Sequence, residues 1–128
     1  MSLTNSFETS VLTYLLTTGT PSPVRPTAWY LGLFTAAPGE AGGGTELSGN
    51  GYARQSFSFT VSGDTATNSA AIEFLTATAS WGTITHVAVF DALTSGNMIA
   101  YATLTASKVI DTGDVLRVPS GDLDITLN

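Results

Sequence analysis

From Ala28 to Leu127 the chain is a succession of short apolar runs that repeat at roughly ten-residue intervals. Gly, Pro, Asn, Asp or Ser closes each run. Runs of this length suit strands joined by tight turns, and no helical period fills the gaps as a βαβ unit requires. Tyr52–Val61 shows the period of two most clearly. Ala53, Gln55, Phe57, Phe59 and Val61 fall on one side, and Tyr52, Arg54, Ser56, Ser58 and Thr60 on the other. Ala28–Thr35 and Thr83–Asp91 are apolar on both faces, the mark of central, doubly covered strands. Gly32 within the first implies a close backbone approach or a bulge. Asn97–Thr105 follows the turn Ala92–Gly96 and is expected to form a hairpin with Thr83–Asp91. Ser69–Leu75 is a short strand with Ile72 and Phe74 inward, and Ser62–Gly63–Asp64 is a turn. Lys108–Ile110 and Val115–Val118 flank the turn Asp111–Asp114. Asp122–Leu127 alternates with Leu123, Ile125 and Leu127 inward. About eight such strands define an all-β fold, an antiparallel β-sandwich or jelly-roll-like domain spanning residues 28–127.

The N-terminal segment follows a different period. Leu3, Phe7, Val11 and Leu15 recur every fourth residue, and Leu12 and Leu16 widen the stripe. Asn5 followed by Glu8 resembles a capping box. Gly19 is suited to a C-terminal cap, and Pro21, Pro23 and Pro26 forbid continuation. An amphipathic helix is therefore expected over residues 5–18, with Pro21–Pro26 a hinge to the sandwich inside one domain of residues 1–128. Its many threonines make it marginal alone, so it needs a surface to pack on. Ala36–Gly51 is a long Gly-rich loop carrying Glu40 and Glu46, of a length that usually either has a task or is mobile.

A chain of 128 residues is enough for one core. Charged residues are only 11% of it, and Thr and Ser supply roughly a quarter. The net charge of -6 disfavours binding to nucleic acid or to an anionic membrane. Without cysteine there is no disulfide, thiolate metal site or thiol nucleophile. No apolar run reaches the ~20 residues of a membrane span. Met1–Asn5 does not read as a secretory signal.

Few residues suggest chemistry. His86 is the sole histidine, and no nucleophile elbow accompanies it; a strand position, half-buried or facing solvent, explains it better than a catalytic base. Asp111, Asp114, Asp122 and Asp124 do not follow an EF-hand spacing; the first pair suits turn capping and the second a solvated strand face. Gly42–Gly43–Gly44 lacks the ending of a P-loop and reads as a flexible loop. Arg54, one of four basic residues, is suited to pairing with a carboxylate within the domain or across an interface. The aromatics Trp29, Tyr30, Phe34, Phe57, Phe59, Phe74 and Phe90 mostly fall at inward positions, which favours core packing over sugar stacking. Trp81 follows a polar stretch, as either an exposed anchor or an indole folded over the core end. No catalytic, cofactor-binding or metal-binding residue is assigned and no cofactor is expected. The candidate partner contacts are Phe7, Val11, Glu40, Glu46, Arg54 and Trp81.

Three stretches carry a resemblance: Tyr30–Thr35 with the loop after it, Thr45–Gln55 (TELSGNGYARQ), and Trp81–Asp91 (WGTITHVAVFD) continuing to Gly96–Asn97–Met98. In this order the chain resembles small virion proteins of tailed bacteriophages, tail-fibre-like or related to capsid cement (decoration) proteins. The resemblance implies a non-enzymatic structural protein located in the virion. It further implies that copies associate with one another and with other virion proteins. The leading expectation is a cement protein on the outside of the major capsid protein lattice. A tail or tail-fibre-associated component is the alternative, and a carbohydrate-binding module the rival of another class.

Overall fold

The computed structural model describes residues 1–20 and 25–127. The chain begins with β1 (Ser2–Leu3), α1 (Asn5–Leu16), β2 (Trp29–Ala36) and β3 (Thr45–Glu46). β4 (Gln55–Phe57), β5 (Phe59–Ser62), β6 (Thr65–Asn68) and β7 (Ile72–Glu73) follow. β8 (Gly82–Phe90), β9 (Met98–Ile110), β10 (Arg117–Val118) and β11 (Asp124–Thr126) complete it. The main sheet has the order β1-β9-β8-β2-β3, with β4 also on β2. Two small sheets, β10-β7 and β11-β6-β5, face it. All of these pairings are antiparallel, and with one N-terminal helix the architecture is β-sandwich-like.

The core lies between these layers. Leu31, Leu33, Val87 and Val89 of the main sheet meet Ile72, Phe74, Leu123 and Ile125 from the opposite side. Each is a branched or aromatic side chain whose burial removes apolar surface from water, on the order of 2 kcal/mol apiece. The opposite face of β2 and β8 is also apolar, as the sequence indicates. Phe34, Ala88 and Phe90 form a second cluster there, flanked by Tyr30, Met98 and Tyr101. The rings of Phe34 and Phe90 stack with centroids 6.1 Å apart. Gly32 lies between the residues of this face, where a Cβ would meet Glu46 Oε1 at 2.9 Å and Phe90 Cε2 at 3.0 Å. The expected close approach at Gly32 is therefore real, and it is an approach of side chains to backbone.

The expected hairpin forms, with β8 pairing β9 from Gly82↔Ile110 to Phe90↔Met98. Between Ile84 and His86 the register slips, so β9 bulges over residues 104–107. Other expectations change. The alternation from Tyr52 to Val61 is not one strand, because the chain changes sheets at Ser58. β4 pairs β2, whereas β5 pairs β6. Phe57 and Phe59 turn this corner edge to face, with centroids 4.8 Å apart. Arg54 is buried rather than outward, and Val61 is exposed. Val115–Val118 does not return to β9, since β10 pairs β7 through Arg117↔Glu73. Leu127 is exposed, while Leu123 and Ile125 are buried as expected. The loop over residues 36–51 contains a strand of its own, β3, whose Glu46 opposes Phe34.

The helix starts at Asn5 as expected and ends at Leu16, two residues early. Its N-cap is Thr4, whose side chain makes no cap bond, so the capping box of Asn5 and Glu8 does not form. Thr4 is buried instead, and its hydroxyl donates to Met98 O at 2.6 Å. Thr17 in extended conformation ends the helix in place of Gly19. Leu3 leaves the helical stripe altogether, because it pairs with Ala100 in β1. Pro21 and Pro23, and with them most of the expected hinge, lie outside the described residues; Pro26 lies within them.

Candidate functional site

Three clefts lie at the N-terminal arm and at the loops beside it. β1 is a short edge strand on β9, and Thr4 N donates to Ile99 O at 2.9 Å. The Met1 ammonium donates to Asp124 O at 3.0 Å. These bonds fix where α1 leaves the sheet. Phe7 then packs edge-on against Trp29, with centroids 6.2 Å apart. Phe7, Val11 and Tyr14 are half-buried and form the inward stripe, yet no residue of α1 is fully buried. Two apolar grooves flank the helix. One, of about 360 Å³, includes Phe7, Val11, Leu15, Arg25 and Trp29; the other, of about 270 Å³, includes Leu3, Phe59, Val61 and Leu127.

Glu40 stands at the entry to α1. Its Oε1 accepts from Ser2 Oγ at 3.0 Å and from Tyr101 Oη at 2.8 Å, and its carbonyl accepts from Asn5 N at 3.1 Å. The Tyr101 hydroxyl is pushed above its ordinary pKa, chiefly by that bond to the carboxylate. Glu40 thus ties the Gly-rich loop to the arm. Gly39 and Gly42 close a tight antiparallel bridge, so this part of the loop has a defined shape. A polar cleft of about 590 Å³ opens between the loop, the start of α1 and Asn97.

Beneath that cleft Arg54 and Glu46 come together. Arg54 Nη1 donates to Ala92 O and Ser95 O, both at 2.8 Å, and its guanidinium lies 3.5 Å from the Phe90 ring centroid. The Tyr52 hydroxyl donates to Glu46 Oε1 at 2.8 Å and accepts from Leu33 N at 3.0 Å. Burial pushes the Tyr52 hydroxyl far above its ordinary range, opposed by the Leu33 bond and reinforced by the Glu46 charge. Arg54 therefore pairs with a carboxylate inside the domain and is closed to a partner.

Trp81 is 5% exposed and packs in the core. Its Nε1 donates to Asn50 O at 2.8 Å, and its ring meets Tyr52 edge to face. The core-end reading of this residue is the one the structure shows. Phe34, Phe74 and Phe90 are likewise buried. His86 is half-buried on β8, its Nδ1 2.8 Å from Thr85 Oγ1. Asp114 Oδ2 accepts from Asp111 N at 2.9 Å, which is a turn cap. Asp124 is exposed on β11 opposite Thr67. Among the described residues no three His, Asp or Glu side chains gather at one point. No helix among them is long and apolar enough to cross a membrane.

Two features escape sequence reading. Asn68 is buried; its Nδ2 donates to Ala70 O and Pro119 O, and its Oδ1 accepts from Gly121 N and Leu123 N. The other is a split of the helix leucines: Leu12, Leu15 and Leu16 are 59%, 66% and 75% exposed and form an outward stripe of their own. The four-residue period puts Leu15 on the inward stripe itself, with Leu12 and Leu16 widening it, so the exposure of all three departs from that expectation.

A sandwich whose buried polar side chains are hydrogen-bonded within the domain, and which carries exposed leucines on a terminal arm, belongs with structural modules that act through their surfaces. Over residues 2–126 the chain matches the family described as Podophage GP4 fiber I protein gp80, and it belongs to that family of phage tail-fibre proteins. It is a phage fibre protein and part of the virion. The match favours the tail-fibre alternative over the capsid-cement reading. No curated protein matches the chain.

Proposed function

We propose that this chain is a non-enzymatic building block of the tail fibre, which holds position by docking to other virion proteins and to copies of itself. The fibre-family match across residues 2–126 carries this reading. The build of the molecule supports it. The Arg54–Glu46 pair and the Asn68 network are satisfied within the domain, while the arm keeps its leucines outward. Phe7 and Val11 anchor the arm from beneath, and Glu40 sets its exit from the loop. In this reading the arm and the sandwich act as one folding unit.

Quantitative mass spectrometry of purified particles, together with gold-labelled antibody, tests the location. Few copies per particle and label at the tail are expected. A copy for every capsid lattice position, with label over the head, would return the protein to the cement class.

A further inference from the structure

We propose that the arm is exchanged between copies, so that residues 1–16 of one chain seat on the sandwich of its neighbour. This rests on the reading above for one thing only, that copies stand side by side. The seat is specific, and it has to be filled. Leu3 pairs with Ala100, Thr4 N donates to Ile99 O at 2.9 Å, and the buried Thr4 hydroxyl donates to Met98 O at 2.6 Å. Phe7 then covers Trp29. An empty seat would leave Trp29 and Ile99 open to water and β9 without its edge partner. Every buried member of the main core lies between Leu31 and Ile125, so the arm meets the sandwich from outside. The seat therefore does not distinguish a chain's own arm from an identical one.

The connector makes the distinction. Phe7 meets Trp29 with centroids 6.2 Å apart, and from Phe7 the helix advances about 14 Å to Leu16. The chain has to return over that distance to resume at Trp29. Residues 17–28 join the two ends, and at about 3.1 Å per residue in polyproline form they reach about 37 Å. Thr17 is already extended as it leaves the helix. Pro21, Pro23 and Pro26 follow in sequence, and proline and the residue before it favour extended backbone. A tether serves its own domain best when its length matches the gap, and a stiff tether more than twice the gap loses that advantage. It spans instead to a second sandwich. Exchange loses no contact, because each bond of the arm is remade on the neighbour, and in a symmetric assembly every copy gives one arm and receives one.

The chain has no cysteine, so introduced thiols report the exchange directly. Leu3 and Ala100 face each other beside the hydrogen-bonded position of Thr4 and Ile99, where Cα atoms lie about 4.5 Å apart and a disulfide closes. A Leu3→Cys chain and an Ala100→Cys chain are unfolded together in urea, refolded and oxidised. A link between positions 3 and 100 then arises only between copies. It is expected as a species of twice 13.2 kDa, at least tenfold more abundant after refolding at submillimolar than at low micromolar concentration. Ser2→Cys mixed with Tyr101→Cys, the adjacent pair on the same ladder, is expected to give the same result and covers a Leu3 or Ala100 variant that fails to fold. Chains carrying both cysteines of a pair are expected to link within one copy when dilute and between copies when concentrated. Links within one copy at every concentration overturn the exchange. Thiols that stay free in both pairs also overturn it, because the arm then does not sit on β9. Particle labelling reads the fibre location independently: label over the head leaves these links untouched, and absent links leave a tail label standing.

Discussion

Arg54 and Glu46 form a two-pronged ion pair, with Nε 2.7 Å from Oε1 and Nη2 2.8 Å from Oε2. The guanidinium is closed from above by Phe90, and its third nitrogen reaches the 92–95 turn. One planar cation thus joins β3, the second apolar cluster and the β8–β9 turn. Lysine cannot present parallel donors or stack in this way. Arg54→Lys is expected to destabilise by about 3 kcal/mol, because it leaves a largely buried carboxylate half-satisfied. Replacing both members, Arg54→Met with Glu46→Leu, is expected to cost less than the sum of the single changes. Urea unfolding of the wild type and the four variants measures both statements.

Tyr52 makes the fold sensitive to alkali. Its folded pKa lies above its unfolded value of about 10, so it contributes fully below that pH. Above it the unfolded chain releases a proton that the folded chain retains, and stability falls as pH rises. The melting temperature of the wild type is expected to drop more steeply between about pH 10 and 11 than that of Tyr52→Phe. Equal slopes in a calorimetric series would show that Tyr52 ionises freely in the native state.

Gly32 leaves room for three groups at once. A Cβ there meets Glu46 Oε1, Phe90 Cε2 and the Tyr52 hydroxyl, the last at 3.3 Å. Gly32→Ala is expected to cost on the order of 2 kcal/mol by overpacking, even though the backbone at this strand position accepts alanine. Chemical denaturation gives the value directly.

Asn68 links β6 to the segment 119–123 through both ends of its amide. Asn68→Ala leaves backbone donors and acceptors unpaired in a buried place, and a loss of roughly 3 kcal/mol is expected. Hydrogen exchange is expected to show the protection of Gly121 and Leu123 amides falling before that of β8.

Removal of residues 1–20 exposes Trp29 and Ile99 and strips β9 of its edge partner. The sheets are expected to remain folded with a lower melting temperature, and the protein to be lost from particles. Normal incorporation of the truncated chain would remove the arm from the assembly contacts.

Strand rhythm, the hairpin of β8 and β9 and the helix start at Asn5 are written in local periods, which any stretch of chain carries by itself. The fibre-like character was also legible, through the Thr45–Gln55 and Trp81–Asp91 stretches, although it pointed first toward the capsid. What neighbours decide was not legible. One unbroken alternation became two strands because Ser58 crosses between sheets. A lone arginine pairs with a carboxylate on principle, but only the docking of β3 onto β2 makes that carboxylate Glu46. Trp81 could have faced either way, and its indole N–H finds the carbonyl of Asn50 at the end of the core. The helix carries leucines on two sides, and only its seat on the sheet determines which side meets water. Periodicity is a property of consecutive residues, whereas desolvation and pairing depend on residues distant in sequence, so the first can be read from the chain and the second only from the fold.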